Sequence, residues 1–400
     1  MVKYLILDKM EKIMDLIKRA NLMSQIEHAF KVNRIVCLLG PRQCGKTTIA
    51  RQLWSDAGKS RTDPGYFDLE RPADLQALDN PDFILPGIKG LIVIDEIQRR
   101  AELFPYLRYL HDENLEHRFL ILGSASRDLI NQSSESLAGR ISFIEITPFS
   151  TIEVPNWQRL WTQGGFPRSY ILDALDSMLW RENYMRTYVE QDLAMLGFNF
   201  QAGIIQKLWF MLAHYHGQII NYSELAASLG VSHPTIKRYI SYLAGGFMLR
   251  ELKPWHENLQ KRQVKSPKVY YRDSGLLHYT FGIKNYEDIF KHHKAGASFE
   301  GFALEEVIRY SKVSSDACYF WATHNKAELD LLILKNGKKL GFEFKMSEAP
   351  KITPSIKIII EELNLDSLAI IYPGNRIYTL EHNIVVIPIN KLQDYFSNIS

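Results

Sequence analysis

The chain has 400 residues, 46% of them hydrophobic and 23% charged, a globular balance that leaves out collagen-like, low-complexity and wholly disordered classes and allows two or three cores. Its 48 basic and 45 acidic residues give a net charge of +3, too mild to demand nucleic acid through bulk charge, so any basic surface must be local. The three cysteines, Cys37, Cys44 and Cys318, show no C-x-x-C spacing, which excludes a disulfide framework and a zinc finger and predicts a cytoplasmic setting.

Apolar residues at helical spacing (Leu5, Ile13, Leu16, Ile17, Met23, Ile26) predict a helical lead-in over 1–30, and acids and lysines within it predict neither a secretion signal nor a membrane anchor. The run Ile35–Leu39 is the first strand. Short apolar strands recur at Tyr66–Leu69, Leu91–Ile94, Phe119–Leu122 and Ile141–Ile146, with helix-compatible segments between several of them, as a mostly parallel sheet requires. Residues 31–155 therefore read as one α/β domain. From Asn156 the pattern turns helical, with a charged, aromatic-rich helix expected over Leu172–Tyr188 and helices continuing to about residue 245. That mainly α region, 156–255, is followed by a polar connector, 256–295, and a mixed α/β unit, 296–400.

The stretch Gly40-Pro41-Arg42-Gln43-Cys44-Gly45-Lys46-Thr47-Thr48 fits G-x-x-x-x-G-K-[ST], with a strand before it and a helix-forming run after it. Such a loop aims successive backbone N–H groups at nucleotide phosphates, while Lys46 neutralises the outer phosphates and the Thr47 hydroxyl can ligate Mg2+. The strand Leu91–Ile94 ends in Asp95-Glu96, at the carboxyl edge where α/β sheets bind ligands. Asp95 is expected to hold the Mg2+ shell and Glu96 to orient or deprotonate a water attacking ATP. Ser124, after the strand Phe119–Leu122, is the candidate sensor of the γ-phosphate, and Arg140 a candidate phosphate-reaching cation in the same or a neighbouring subunit; Arg127 is a lesser one.

These residues carry a resemblance. GPRQCGKTT, YFDLE at Tyr66–Glu70, VIDEIQ at Val93–Gln98, LGSAS at Leu122–Ser126, LAGR at Leu137–Arg140, TPFS at Thr147–Ser150 and GGFP at Gly164–Pro167 are similar to a family of bacterial and archaeal AAA-type ATPases with a C-terminal domain of unknown function. The resemblance covers about residue 20 to the end. It implies an AAA-type P-loop fold with Gly40–Thr48 as Walker A, Asp95 and Glu96 as Walker B, and Ser124 near sensor one.

Residues Asn221–Leu243 place Leu225, Ala226, Leu229, Val231, Ile236, Ile240 and Leu243 as an apolar set with Gly230 at a turn, a helix-turn-helix pattern within a winged-helix region. Ser232 is the expected N-cap of the second helix, which exposes His233, Thr235, Lys237, Arg238 and Ser241. Thr235, Lys237 and Arg238 are the candidate DNA contacts; a helical hairpin used for protein contacts is the alternative.

Farther on, Asn336-Gly337 lies between two alternating runs, a strong hairpin signal. Counting back from a two-residue turn sets Asp330 opposite Glu343 and Glu328 opposite Lys345, on one face, with Leu329, Leu331, Ile333, Leu340, Phe342 and Phe344 on the other. That cluster resembles the PD-(D/E)xK nuclease core, of restriction-endonuclease-like fold, with Leu329 in place of its proline. The resemblance implies Asp330, Glu343 and a helix acid, Glu300 or secondarily Glu305, as metal ligands and Lys345 as a phosphate-stabilising cation. A cross-strand charge ladder on a solvated hairpin, or a nuclease fold retained without activity, is the plainer alternative. His214 with His216, and His292 with His293, lack a third ligand and receive no site.

The sequence thus predicts an ATP- and Mg2+-dependent AAA-type ATPase coupled to C-terminal modules that bind DNA or a protein, in a chain able to form homo-oligomers. A nucleotide-regulated metal-dependent DNA nuclease and a nucleotide-switched adaptor remain as alternatives.

Overall fold

The computed structural model describes residues 17, 19–60, 62–113, 116–124, 139–193, 200–256, 265–323 and 327–398. Most of the expected lead-in, together with Ser126 and Arg127, lies outside the described residues. The chain forms two compact units, one of residues through Pro148 together with Gly245–Phe247, the other of the remaining described residues from Phe149 on.

In the first unit, α1 (Ala20–Val32) leads into β1 (Ile35–Leu39), the loop, and α2 (Lys46–Asp56). Then come β2 (Tyr66–Asp68), β3 (Gly90–Asp95), α3 (Leu103–Asp112), β4 (His117–Gly123) and β5 (Ile141–Glu145). All five expected strands form, in the order β2-β3-β4-β1-β5, and every pairing is parallel. Side-chain alternation divides the core in two. Ile35, Cys37 and Leu39 of β1 pack with Ile92, Ile94, Phe119 and Ile121 under α3, while Val36 and Leu38 pack with Leu91, Val93, Leu120 and Leu122 under α1 and α2. Strands buried on both faces read as continuous apolar runs for this reason.

The second unit starts with short helices and α4 (Ala174–Thr187), which begins two residues later than expected because the Asp173 carboxylate caps it, accepting from Leu175 N and Asp176 N at 3.0 Å each. Next are α5 (Ala202–His214), β6 (Gln218–Ile219), α6 (Tyr222–Leu229), α7 (His233–Gly245), β7 (Leu249–Pro254) and β8 (Lys268–Tyr271). The expected two-helix turn is present: Gly230 takes φ 65° between α6 and α7, and Ser232 Oγ accepts from Thr235 N at 3.3 Å. After helices Ser274–Thr280 and Tyr286–Lys291 come α8 (Ala295–Ser311), β9 (Cys318–Ala322), β10 (Glu328–Lys335), β11 (Lys338–Phe344), α9 (Pro354–Leu363), β12 (Ser367–Tyr372), β13 (Tyr378–Glu381) and β14 (Ile384–Pro388).

One sheet joins these parts, ordered β13-β14-β12-β11-β10-β9-β7-β8-β6. The middle and C-terminal pieces, expected as separate domains, share it through the parallel pairing of Lys253 with Tyr319 and Pro254 with Phe320. The segment expected as a connector holds β8 and two helices. Its polar run up to Lys268 masked the short strand that begins there.

Candidate functional site

At the carboxyl end of β1 the loop turns sharply. A Cβ on Gly40 would stand 2.1 Å from the Ile146 carbonyl oxygen, so only glycine fits there. Gly45 takes φ 102° and opens α2, leaving first-turn N–H groups pointed outward, the arrangement that binds phosphate. Lys46 is buried, and its Nζ donates to the Gly40 and Pro41 carbonyls at 2.8 and 2.9 Å. The loop is braced from outside by Arg19, whose guanidinium donates to Cys44 O at 3.3 Å and Thr147 O at 3.0 Å. Arg42 pairs with Glu70. Cys44 is buried, and burial raises its thiol pKa, so it packs rather than reacts. Gln43 adopts φ 62° in the loop, and Thr48 follows Thr47 into α2.

Beside the loop, Thr47 Oγ1 donates to Asp95 Oδ2 at 2.9 Å. Asp95 is buried, and burial first, then the neighbouring Glu96 charge, push its carboxyl up to about 6. This paired hydroxyl and buried carboxylate suit a hard divalent ion, which would restore the charge that burial disfavours. Glu96 adopts the left-handed conformation, φ 59°, and Ser124 Oγ reaches its carboxylate at 3.0 and 3.1 Å. Gln98 also donates to Glu96, and its Oε1 accepts from Ser124 N at 3.4 Å. The structure therefore brings Lys46, Thr47, Asp95, Glu96 and Ser124 together, with Ser124 engaged on Glu96 rather than facing an open crevice.

Arg140 is placed elsewhere. It precedes Ile141, which pairs with Ile35 at the start of β1, so it sits at the amino edge of the sheet, a strand length of roughly 16 Å from the loop. There its Nε donates to Asp112 at 2.7 Å, in an exposed pair. A role at this chain's own phosphates does not fit that position.

In the second unit, α7 buries Ile236, Tyr239, Ile240 and Leu243 and exposes Lys237 and Arg238, with Thr235 half-buried. The Arg238 guanidinium lies 5.8 Å from the Tyr239 ring centroid. A solvent-facing pair of cations on the second helix is what the sequence led one to expect.

The hairpin register follows the expected count from Lys335–Lys338 to Leu331–Phe342. At Asp330 the strand departs from a plain ladder, because β10 is irregular against β9 between Leu329 and Leu332. The Asp330 carboxylate turns to accept the Phe344 backbone N–H at 3.0 Å. Lys345 Nζ pairs with Glu343 Oε2 at 2.6 Å. Glu300, on α8, accepts from Tyr270 Oη at 2.6 Å. Burial, then the Asp330 charge, raise both Glu300, to about 7, and Glu343, to about 8.

Into this cluster the structure inserts a residue that the sequence did not flag. Lys268 Nζ lies 3.4 Å from Glu300 and 3.8 Å from Asp330, and pairs with Glu328. Burial opposes its charge, yet Tyr270, Glu300, Asp330 and Glu328 hold its pKa well above the ordinary lysine value. Among the described residues, no group of three or more His, Cys, Asp or Glu side chains is spaced to hold a metal ion. Of the expected Glu300, Asp330 and Glu343 metal set, Glu300 and Asp330 are thus bridged by the Lys268 ammonium, while Glu343 pairs with Lys345. Glu305, the secondary ligand candidate, is committed to Arg250, at 3.0 Å through Nη2, and to Arg272 at 3.4 Å. Burial would raise its carboxyl, but these arginines hold it down at about 2. The cue missed was the strand pattern Lys268-Val-Tyr270-Tyr, which puts a lysine and a tyrosine on one face of a buried strand.

Two proteins, the uncharacterized protein Rv2008c of Mycobacterium tuberculosis and the uncharacterized protein Mb2031c of Mycobacterium bovis, are each 41% identical over 381 residues, covering 94% of this chain and 85% of theirs. The chain belongs to their family. In this family member, residues 32–154 match the model of an AAA domain, so the first unit carries an AAA-type P-loop domain, consistent with its parallel sheet. Residues 154–287 and 295–392 match two domains of unknown function, DUF8612 and DUF4143. Among solved structures, the Walker-type ATPase PABY2304 of Pyrococcus abyssi covers 66% of this chain and 96% of its own at 12% identity, with a TM-score of 0.39, too loose a likeness to place any residue. Among the described residues, no helix is long and apolar enough to cross a membrane.

Proposed function

We propose that this protein is a Mg2+-dependent ATPase of AAA type whose nucleotide cycle rearranges its C-terminal DNA- or protein-binding modules. The observation that carries the reading is the joint placement of Lys46, Thr47, Asp95, Glu96 and Ser124 at one end of the sheet. ATP phosphates would lie on the loop from Gly40 to Thr48, displacing Lys46 Nζ from its own carbonyls. Thr47 and Asp95 would hold Mg2+, which would supply charge neutralisation to the phosphates. Glu96 orients and accepts a proton from the attacking water, and the Ser124 hydroxyl keeps its carboxylate in place. A role for Arg140 requires a neighbouring copy of the chain.

Turnover of ATP by the wild type, Lys46→Ala and Glu96→Gln, with and without single-stranded, duplex and branched DNA, tests this reading. Lys46-dependent turnover stimulated by one DNA form supports a nucleic-acid partner recognised by Thr235, Lys237 and Arg238. Turnover indifferent to DNA supports a protein partner, and no turnover under any condition sinks the ATPase. Unchanged protease accessibility on adding ATP to Glu96→Gln would sink the coupling.

The cluster of Asp330, Glu343, Glu300 and Lys345 favours a second reading, a nucleotide-regulated nuclease. It predicts DNA cleavage that is lost in Asp330→Ala and Lys345→Ala. The absence of cleavage across DNA forms and divalent metals would remove it.

A further inference from the structure

Lys268 opens β8, a strand paired with β6 and β7, yet its charge is spent on the neighbouring hairpin and helix. Its side chain is 3% exposed and stands among the carboxylates of Glu300, Glu328 and Asp330. Tyr270, on the same face of β8, holds the same Glu300 oxygen. Across the cluster, Lys345 occupies Glu343 Oε2, whereas Glu343 Oε1 is buried with no hydrogen-bond partner among the described residues. Four carboxylates thus share two ammonium groups, and one buried acceptor oxygen is left over.

Buried carboxylates persist when a cation compensates them, and that cation can be a metal ion or a protein side chain. The two compete for one place. A hard divalent ion needs oxygens at about 2.0–2.6 Å, and an ammonium paired with Glu300, Glu328 and Asp330 engages carboxylates that such an ion would need. We propose that Lys268 is the resident cation of this cluster, holding the place of a divalent metal. With β8 seated, the cluster excludes metal; with the Lys268 charge removed, Glu300, Asp330 and Glu343 form a divalent-cation site in which Glu343 Oε1 is the ready acceptor. This inference rests on no step of the ATP chemistry. It makes any metal chemistry of the second unit conditional on withdrawing one strand residue.

The test is a Mn2+ titration of the full chain without nucleotide, read by the electron paramagnetic resonance signal of free Mn2+. An Asp95→Asn background silences the nucleotide-side ion. With Lys268 intact, Mn2+ should stay free. Lys268→Met, which keeps the aliphatic stem, should bind one equivalent about tenfold or more tighter, and Asp330→Asn in addition should abolish that binding. Lys268→Met should also melt at a lower temperature without metal and recover with Mn2+. A chain with Lys268 intact that binds one Mn2+ in an Asp330-dependent way overturns the proposal, and that measurement needs no Lys268 variant to fold. Folded Lys268→Met that binds no better than its parent overturns it as well.

Discussion

The Ser124 hydroxyl stands 3.0 and 3.1 Å from the two carboxylate oxygens of Glu96. Glu96 needs such a partner, because its backbone is held at φ 59°, a conformation that costs a non-glycine residue of order 1–3 kcal/mol and persists when its surroundings fix it. Ser124→Ala is therefore expected to lower ATP turnover about 10- to 100-fold while changing ATP affinity less than about threefold, and Glu96→Gln to lower turnover by about 10²–10⁴. Turnover rates beside nucleotide dissociation constants check both. Unchanged turnover in Ser124→Ala would remove the serine from the reaction.

Gly40 offers a purely steric probe. A methyl group there meets the Ile146 carbonyl oxygen at 2.1 Å, a backbone atom that cannot swing aside. Gly40→Ala should cost about 1–3 kcal/mol of stability and weaken nucleotide binding more than a remote substitution of equal cost. Thermal melting and an ATP titration decide it; wild-type affinity would show that the loop relaxes freely.

Glu305 neutralises buried arginines in the second unit. With Arg250 and Glu305 7% and 2% exposed, Glu305→Ala removes the buried carboxylate that Arg250 and Arg272 share and should destabilise by about 3–5 kcal/mol. Glu305→Gln, which retains an acceptor oxygen, should cost less. Denaturant unfolding of the two variants gives the comparison, and a loss under about 1 kcal/mol for the alanine would contradict a closed ion-pair network.

Acid should withdraw the contribution of two buried histidines to the second unit before carboxylate titration is complete. His278 bridges Thr162 O at 3.0 Å and Ser298 Oγ at 2.7 Å, and His216 Nδ1 accepts from Tyr271 N at 3.0 Å. Burial lowers both to about 3. His216 also faces His278, Lys294 and Glu305, and His278 faces Arg181 and His292. Their folded values lie below the unfolded one, so at these two sites the unfolded chain binds protons first, and their contribution to stability falls as pH drops from about 6.5 toward 3. The slope is about 1.4 kcal/mol per pH unit for each histidine. Glu300 and Glu343, raised to about 7 and 8, take up protons in the folded chain over the same range and oppose that fall, so the readout is a difference: wild-type urea midpoints should fall relative to those of His278→Gln from pH 7 to 5. A difference between wild type and variant that does not change with pH would refute a buried neutral His278.

Much of the nucleotide site was legible because its signals are contiguous. A loop between a strand and a helix, and two acids closing the strand β3, are each fixed by backbone geometry within a few residues. The hairpin turn at Asn336-Gly337 was legible for the same reason, as left-handed conformations at φ 52° and 77° favour those two residue types. Gln98 and Arg19 were not, since nothing in their local spacing says that they reach Glu96 and the loop carbonyls.

The sequence by itself determined the parallel five-stranded sheet, the phosphate loop and the paired helices α6 and α7, because periodicity and turn chemistry act over a few residues at a time. Only the tertiary structure decided which charges meet. It set Arg140 on Asp112 at the far edge of the sheet, gave Glu305 to Arg250 and Arg272, and brought Lys268 of β8 into the carboxylates of α8 and β10. Those partnerships span long stretches of chain and follow from how strands and helices pack. In a buried place each carboxylate takes whichever cation the packing brings to it.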